Sequence, residues 1–138
     1  MDDNDLNFDG RRIIIGITGG IACYKVADLV SKLVQTGSTI DVVMTEAATH
    51  FVTPLTFASL TGRAVLDSQW SFVDGHDPQH IRLAKSCSAM LIAPCTMDMV
   101  AKLAIGLTND TVSLVASAID RSSTPLLIAP SMNVTMFN

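Results

Sequence analysis

Aromatic residues are scarce in this sequence, with one tryptophan and one tyrosine among 138 residues, so the core has to be built from aliphatic side chains. Basic charge is also short. Nine lysines and arginines against 13 acidic residues leave a net charge of −4. A nucleic-acid partner is therefore not expected, because it would need a basic patch and the cations here form no run. No apolar stretch reaches the roughly 20 residues that a membrane-spanning helix requires. The segment 1–9 is acidic and lacks the basic and apolar regions of a secretory signal. Residues 1–10 read as a disordered lead-in. The three cysteines, Cys23, Cys87 and Cys95, are an odd number without metal-ligand spacing. No metal site is expected, and buried free thiols in a reducing cytoplasm are favoured over a redox pair.

What is present is a high apolar fraction, 49%, in a chain the length of one domain. Ile13 to Thr18 is a β-branched run without charge, suited to a strand buried on both faces. Residues 21–35 change to helical period, with Ala22, Val26, Leu29, Val30 and Leu33 on one face and Gly37 as the stop. Thr39 to Met44 reads as a second strand and Ser88 to Ala93 as a third. The segment 124–128 reads as a further strand, and 64–66 as a short one. Helical segments are expected from Thr45, from Pro54 to Leu60, and from His80 to Ser86. Two more are expected from Met97 to Ile105, with Val100, Leu103 and Ala104 inward, and from Thr111 to Ile119. Residues 67–79, with Trp70, Gly75 and Pro78, read as a long surface loop. Strands alternating with helices imply a parallel sheet with right-handed crossovers. The expected fold class is a three-layer α/β sheet of Rossmann or flavodoxin-like type, with helices on both faces, over residues 11–138.

Two strand ends share one pattern. Leu91-Ile92-Ala93-Pro94-Cys95-Thr96 has the shape of Leu127-Ile128-Ala129-Pro130-Ser131-Met132. Proline has no N–H for the ladder and ends each strand. If the strands are parallel neighbours, both exits open onto one edge of the sheet, where ligands bind in open α/β folds. Asn133 stands just beyond the second exit with an acceptor and two donors free to hold a ligand. A polar turn that merely leaves a core strand explains the same residues about as readily.

Between the first strand and first helix lies Gly16-Ile17-Thr18-Gly19-Gly20-Ile21-Ala22. Helix-start N–H groups attract phosphate, glycines let the backbone come close, and Thr18 can add a hydroxyl donor. The spacing is neither the dinucleotide fingerprint nor a Walker loop. A mononucleotide such as a flavin phosphate fits, although a Gly-Gly turn is equally common as plain structure. Thr45 closes the second strand, where it can reach a cofactor or cap the next helix. Among the histidines, His50 reads as packed or solvated and His76 as exposed in a loop. His80 is singled out by its place between the long loop and a helical turn.

Six ordered blocks carry a family resemblance: Gly16 to Lys25, Val43 to Ala48, His80 to Lys85, Ala93 to Asp98, Gly106 to Asp110 and Pro130 to Met136. Together they resemble the flavin-containing cysteine decarboxylases, closest to the decarboxylase half of bifunctional phosphopantothenoylcysteine decarboxylase/phosphopantothenate–cysteine ligase. The resemblance implies FMN as cofactor, contacted by Gly19, Gly20, Ile21, Thr45, Pro94, Cys95, Thr96, Met97 and Ser131. It implies His80 as catalytic base and Asn133 as holder of the substrate carboxylate. It also implies a homotrimer or dodecamer with FMN at a subunit interface. The implied reaction is oxidative decarboxylation of a cysteine-derived carboxylate, 4′-phosphopantothenoylcysteine to 4′-phosphopantetheine in coenzyme A biosynthesis.

Two departures stand out. Cys95-Thr96-Met97-Asp98 is bulkier than the family's usual small residues after Ala-Pro. The family also continues past the position of Asn138 with a helix, a flap carrying a reactive cysteine, and a last strand. The expectation is therefore a fragment, or a member that stops at the ene-thiol. A peptidyl-cysteine decarboxylase and a non-catalytic FMN-binding or regulatory subunit remain alternatives. A flavin prenyltransferase fits less well, because its glycine loop typically reads Gly-Ala-Ser-Gly.

Overall fold

The computed structural model describes residues 8–68, 79–132 and 135. Within them, four parallel strands form one sheet: β1 (Arg12–Ile17), β2 (Thr39–Met44), β3 (Ala89–Cys95) and β4 (Leu126–Pro130), in the order β2-β1-β3-β4. The helices are α1 (Cys23–Gln35), α2 (Glu46–Thr49), α3 (Pro54–Thr61), α4 (Gln79–Ser86), α5 (Met97–Ile105) and α6 (Thr111–Ser117). This is the expected flavodoxin-like class. The chain reverses its direction of winding between β1 and β3, and the carboxyl ends of strands at such a switch point form a crevice.

Side-chain alternation in the strands builds a core on each face of the sheet. Ile14, Val43, Met90 and Ile92 face α4, α5 and α6, where they meet Ala84, Met99, Val112 and Val115. Ile15, Ile17, Val42 and Met44 face the other way, onto Cys23, Val26, Val30 and Phe57 of α1 and α3. Each fully buried aliphatic side chain contributes about 1.5–3 kcal/mol. Gly16 sets the approach of α6: a Cβ there would stand 2.9 Å from Val112 Cγ1. Among the described residues, no helix is long and apolar enough to cross a membrane.

Several details depart from the sequence reading. The first helix begins at Cys23, because Ile21 lies in a turn and is 76% exposed. Met99 is the buried residue of α5, while Ala104, expected inward, is exposed. The segment 64–66 makes a single bridge, Leu66 to Val43. Strand β4 is apolar yet largely exposed, with Leu127 at 56% and Ile128 at 43%. It pairs with β3 at one edge of the sheet, whereas β2 at the other edge is buried, so the exposure of β4 reflects the lack of a covering helix among the described residues and not edge position alone. Residues 8–10, read as lead-in, are tied to the α1–β2 turn. Gly10 N–H donates to Gly37 O, and the Ser38 hydroxyl donates to Phe8 O. Of the expected surface loop, residues 69–78 lie outside the described residues.

Candidate functional site

Three strands end in threonine at the carboxyl edge: Thr18 after β1, Thr45 after β2 and Thr96 after β3. Thr45 and Thr96 are helix N-caps. Their hydroxyl oxygens accept from Ala48 N–H at 3.1 Å and Met99 N–H at 3.3 Å. A hydroxyl that accepts for a cap still has a proton to donate. Neither proton is used among the described residues. Thr18 differs: its hydroxyl donates to Pro94 O at 2.6 Å and accepts from Thr96 N–H at 3.0 Å. The donor role expected of Thr18 is therefore already taken by the protein itself.

A cavity of about 350 Å³ opens among these exits, lined by Thr18, Gly19, Thr45, Ala47, Thr96 and Met99. Glu46, Asp98, Lys102 and Asp110 complete its wall. A second cavity, of about 330 Å³, lies on the α1 side. It is lined by Ala22, Lys25 and Val26 on one side and by Pro94, Pro130 and Ser131 on the other. The two Ala-Pro exits thus flank one pocket, as their repeated pattern suggests. Ser131 N–H donates to Cys95 O at 3.0 Å and fastens them together. Gly20 lies between the cavities: a Cβ there would reach Pro94 at 3.7 Å and Thr96 at 4.0 Å.

The electrostatics separate the two ends of this strip. Three carboxylates and one ammonium around the threonine cavity disfavour an anion beside Asp98 and Asp110. The start of α1 is the opposite case. Ala22 gives it no side-chain cap, its first turn holds no acidic residue, and Lys25 is close by. The N–H groups of Gly19, Gly20 and Ile21 donate to nothing among the described residues. Unpaired N–H groups at a helix start, with the macrodipole behind them, favour a phosphate.

The candidate residues divide accordingly. Gly19, Thr45 and Thr96 line the first cavity, Pro94 and Ser131 the second, and Gly20 the passage between them. Ile21 is exposed on the turn, and Met97, the first residue of α5, is 39% exposed. Cys95 is fully buried in the core, and burial pushes its thiol up to about 11. Only the Cys95 backbone is left to serve a ligand. His80 is half-buried on the first turn of α4 and lines neither cavity. The neighbouring α4 residues Gln79, Leu83 and Ser86 instead line a groove of about 530 Å³ against Arg12, Asp41 and Arg63. Asn133 lies outside the described residues. Sequence reasoning passed over Ala47, Lys102 and Asp110. The Asp98/Lys102 spacing of four and the Asp110/Ser113 capping spacing were the available signals.

The Flavoprotein family matches residues 3–138. This chain belongs to the Flavoprotein family. Over 128 residues it is 44% identical to the coenzyme A biosynthesis bifunctional protein CoaBC of Vibrio cholerae, covering 93% of this chain and 31% of the relative. The chain thus spans about a third of the length of the curated relatives it matches. Among solved structures it is similar to the FMN-dependent cysteine decarboxylase SpaF. That match has a TM-score of 0.86 and 27% identity, and it covers 95% of this chain and 74% of the other. It is also similar to a PPC decarboxylase mutant complexed with pantothenoylaminoethenethiol, with a TM-score of 0.79, 26% identity, and coverage of 93% and 70%. The resemblance drawn from the six sequence blocks holds in both comparisons.

Proposed function

We propose that this member of the Flavoprotein family binds FMN and decarboxylates 4′-phosphopantothenoylcysteine to 4′-phosphopantetheine for coenzyme A biosynthesis, in the cytoplasm, as a homotrimer or a dodecamer built from trimers. The observation that carries the reading is the continuous strip from Thr45 through Gly19 and Gly20 to Ser131, with its unused N–H groups and hydroxyl protons. That donor set suits a phosphorylated cofactor. The N–H groups of Gly19, Gly20 and Ile21 hold its phosphate, and the Thr45 and Thr96 hydroxyls donate along its polar edge. Pro94 and Ser131 bound the apolar end. The 44% identity to a coenzyme A biosynthesis protein, together with the likeness to a PPC decarboxylase complexed with pantothenoylaminoethenethiol, favours the pantothenoyl substrate.

Bound FMN would supply reversible two-electron chemistry, taking up the electrons whose removal gives a cysteine carboxylate an electron sink for loss of CO₂ and giving them back to yield the saturated thiol. The protein's own residues orient the substrate and move protons. His80 takes a proton from the substrate's cysteine unit as general base. Asn133 holds the carboxylate through its amide, enough to fix direction without the strong ground-state grip of an arginine. His80 lines neither cavity of its own chain, in keeping with a site completed by a neighbouring subunit.

Absorbance tests the cofactor, and CO₂ release tests the substrate. The purified protein mixed with FMN and freed of excess should keep the oxidised-flavin bands. It should release CO₂ from 4′-phosphopantothenoylcysteine faster than from a peptide ending in cysteine. A colourless protein removes the flavin assignment, and preference for the peptide shifts the substrate to the peptidyl class. Light scattering showing a stable monomer removes the trimer.

A further inference from the structure

We propose that Thr18 is a positioning residue for the cofactor: its hydroxyl joins the exits of β1 and β3 and thereby fixes the start of α5 against the glycine turn before α1. The inference rests on the flavin reading above. Backbone pairing between β1 and β3 runs from Ile13/Ala89 to Gly16/Ile92. Beyond Ile92 the register of β3 with β4 shifts. The two exits that face each other across the switch point therefore lie past the regular ladder. Thr18 replaces it. Its hydroxyl donates to Pro94 O and accepts from Thr96 N–H, its own N–H reaches Pro94 O at 3.3 Å, and its carbonyl accepts from Cys23 Sγ at 3.1 Å.

Thr18 borders the threonine cavity, but it is only 2% exposed and its hydroxyl is already engaged by Pro94 O and Thr96 N–H. Its effect passes through Thr96, which caps α5, and through Cys23, the first residue of α1. The ligand-facing groups belong to two elements, the turn at Gly19–Gly20 and the exit at Thr96. Their relative placement decides whether both can be used at once. Valine has nearly the shape of threonine, but it would take the hydroxyl away from the half-buried Thr96 N–H and leave Pro94 O with only the residue-18 N–H. Serine would keep both bonds.

The test titrates FMN into the apo protein and records the visible circular dichroism of the bound flavin. Thr18→Val should weaken FMN by about tenfold or more, the scale of one lost hydrogen bond, and change the flavin signal. Thr18→Ser should stay within about threefold of the parent. Ile40→Val, a buried change at the amino end of β2, serves as a stability control and should leave flavin affinity unchanged. Parental affinity and signal in Thr18→Val overturn the proposal. So does a large loss in Thr18→Ser, which remains readable if the valine variant does not fold. Equal weakening by Ile40→Val overturns it too, since the effect would then be general destabilisation. A parent protein that takes up no FMN removes the flavin reading, and this proposal with it.

Discussion

The ammonium of Lys102 lies 2.8 Å from the carboxylate of Asp110 and joins α5 to the N-cap of α6 at the wall of the threonine cavity. Both side chains are largely hidden, at 16% and 15% exposure. Asp110 also accepts from Ser113 N–H at 2.7 Å, so one carboxylate caps a helix and holds a cation. Burial works against the charged lysine, but the bonds to Asp110 and Asp98 outweigh it and raise its pKa above 10.5. The stabilisation is therefore complete below the ordinary lysine pKa and lost as pH rises through the raised one. Lys102→Met should cost roughly 1–3 kcal/mol at neutral pH, since it leaves the Asp110 charge without its partner. Urea unfolding across the alkaline range should show a shallower fall for the variant than for the parent. Parallel curves would contradict the pair's contribution.

Gly19 permits a second close approach. A Cβ built there would stand 2.6 Å from Ala47 Cβ and 3.0 Å from the Ala47 carbonyl carbon. The turn after β1 thus packs directly on α2, the helix that Thr45 caps. Gly19→Ala should destabilise by about 1–3 kcal/mol through overpacking and should reduce flavin uptake. Ala47→Gly in the same chain removes the closer contact and leaves the backbone one, so partial rescue is expected in a double-mutant cycle. Additive losses would mean that the two residues do not press on each other.

Much of the architecture is legible in the sequence because the signals are local and strong. The uncharged β-branched run from Ile13 to Ile17 suits a strand buried on both faces, and residues 97–105 carry helical period between Thr96 and Gly106. The site is legible to the extent that the chain advertises its breaks: Gly19-Gly20 and the two Ala-Pro exits. What escapes depends on partners far away in sequence. Nothing local shows that the Thr18 hydroxyl meets Pro94 and Thr96, 76 and 78 residues on. Nor does composition distinguish Ile92, fully buried in a central strand, from Ile128, 43% exposed at the sheet edge. Asp41 is a third case. It interrupts an apolar strand, and its burial is explained only by Arg12 at 3.2 Å and Arg63 at 2.7 Å.

The cysteines give a prediction independent of any ligand. Burial raises the pKa of all three thiols, with Cys95 at about 11. Cys23 and Cys95 are also fully covered, whereas Cys87 is half-buried. The thiolate is the reactive form, so both access and ionisation protect the buried pair. With Ellman's reagent at mildly alkaline pH, the native protein should expose Cys87 alone on a timescale of minutes, and all three thiols should react after unfolding. Rapid native reaction of Cys95 would contradict its place in the core between β3 and α6.

The last prediction concerns His80 and the neighbouring subunit. His80 is on the first turn of α4, while the threonine and proline cavities lie at the strand exits and do not include it. If His80 is the general base, His80→Asn should bind FMN normally and lose CO₂ release by about 10²- to 10⁴-fold. Gly19→Ala has the opposite defect, with an intact base and a poor cofactor site. Assembled together, the two variants should regain activity that neither has alone, because some interfaces would pair a normal Gly19 strip with a normal His80 from the next subunit. The mixture should be prepared by co-refolding, so that subunits exchange, and compared with the same chains mixed after assembly. Recovery only on co-refolding supports a site shared between subunits. No recovery, with His80→Asn inactive, places the base within its own chain. Full activity in His80→Asn removes the base assignment and leaves the proton transfer to another residue.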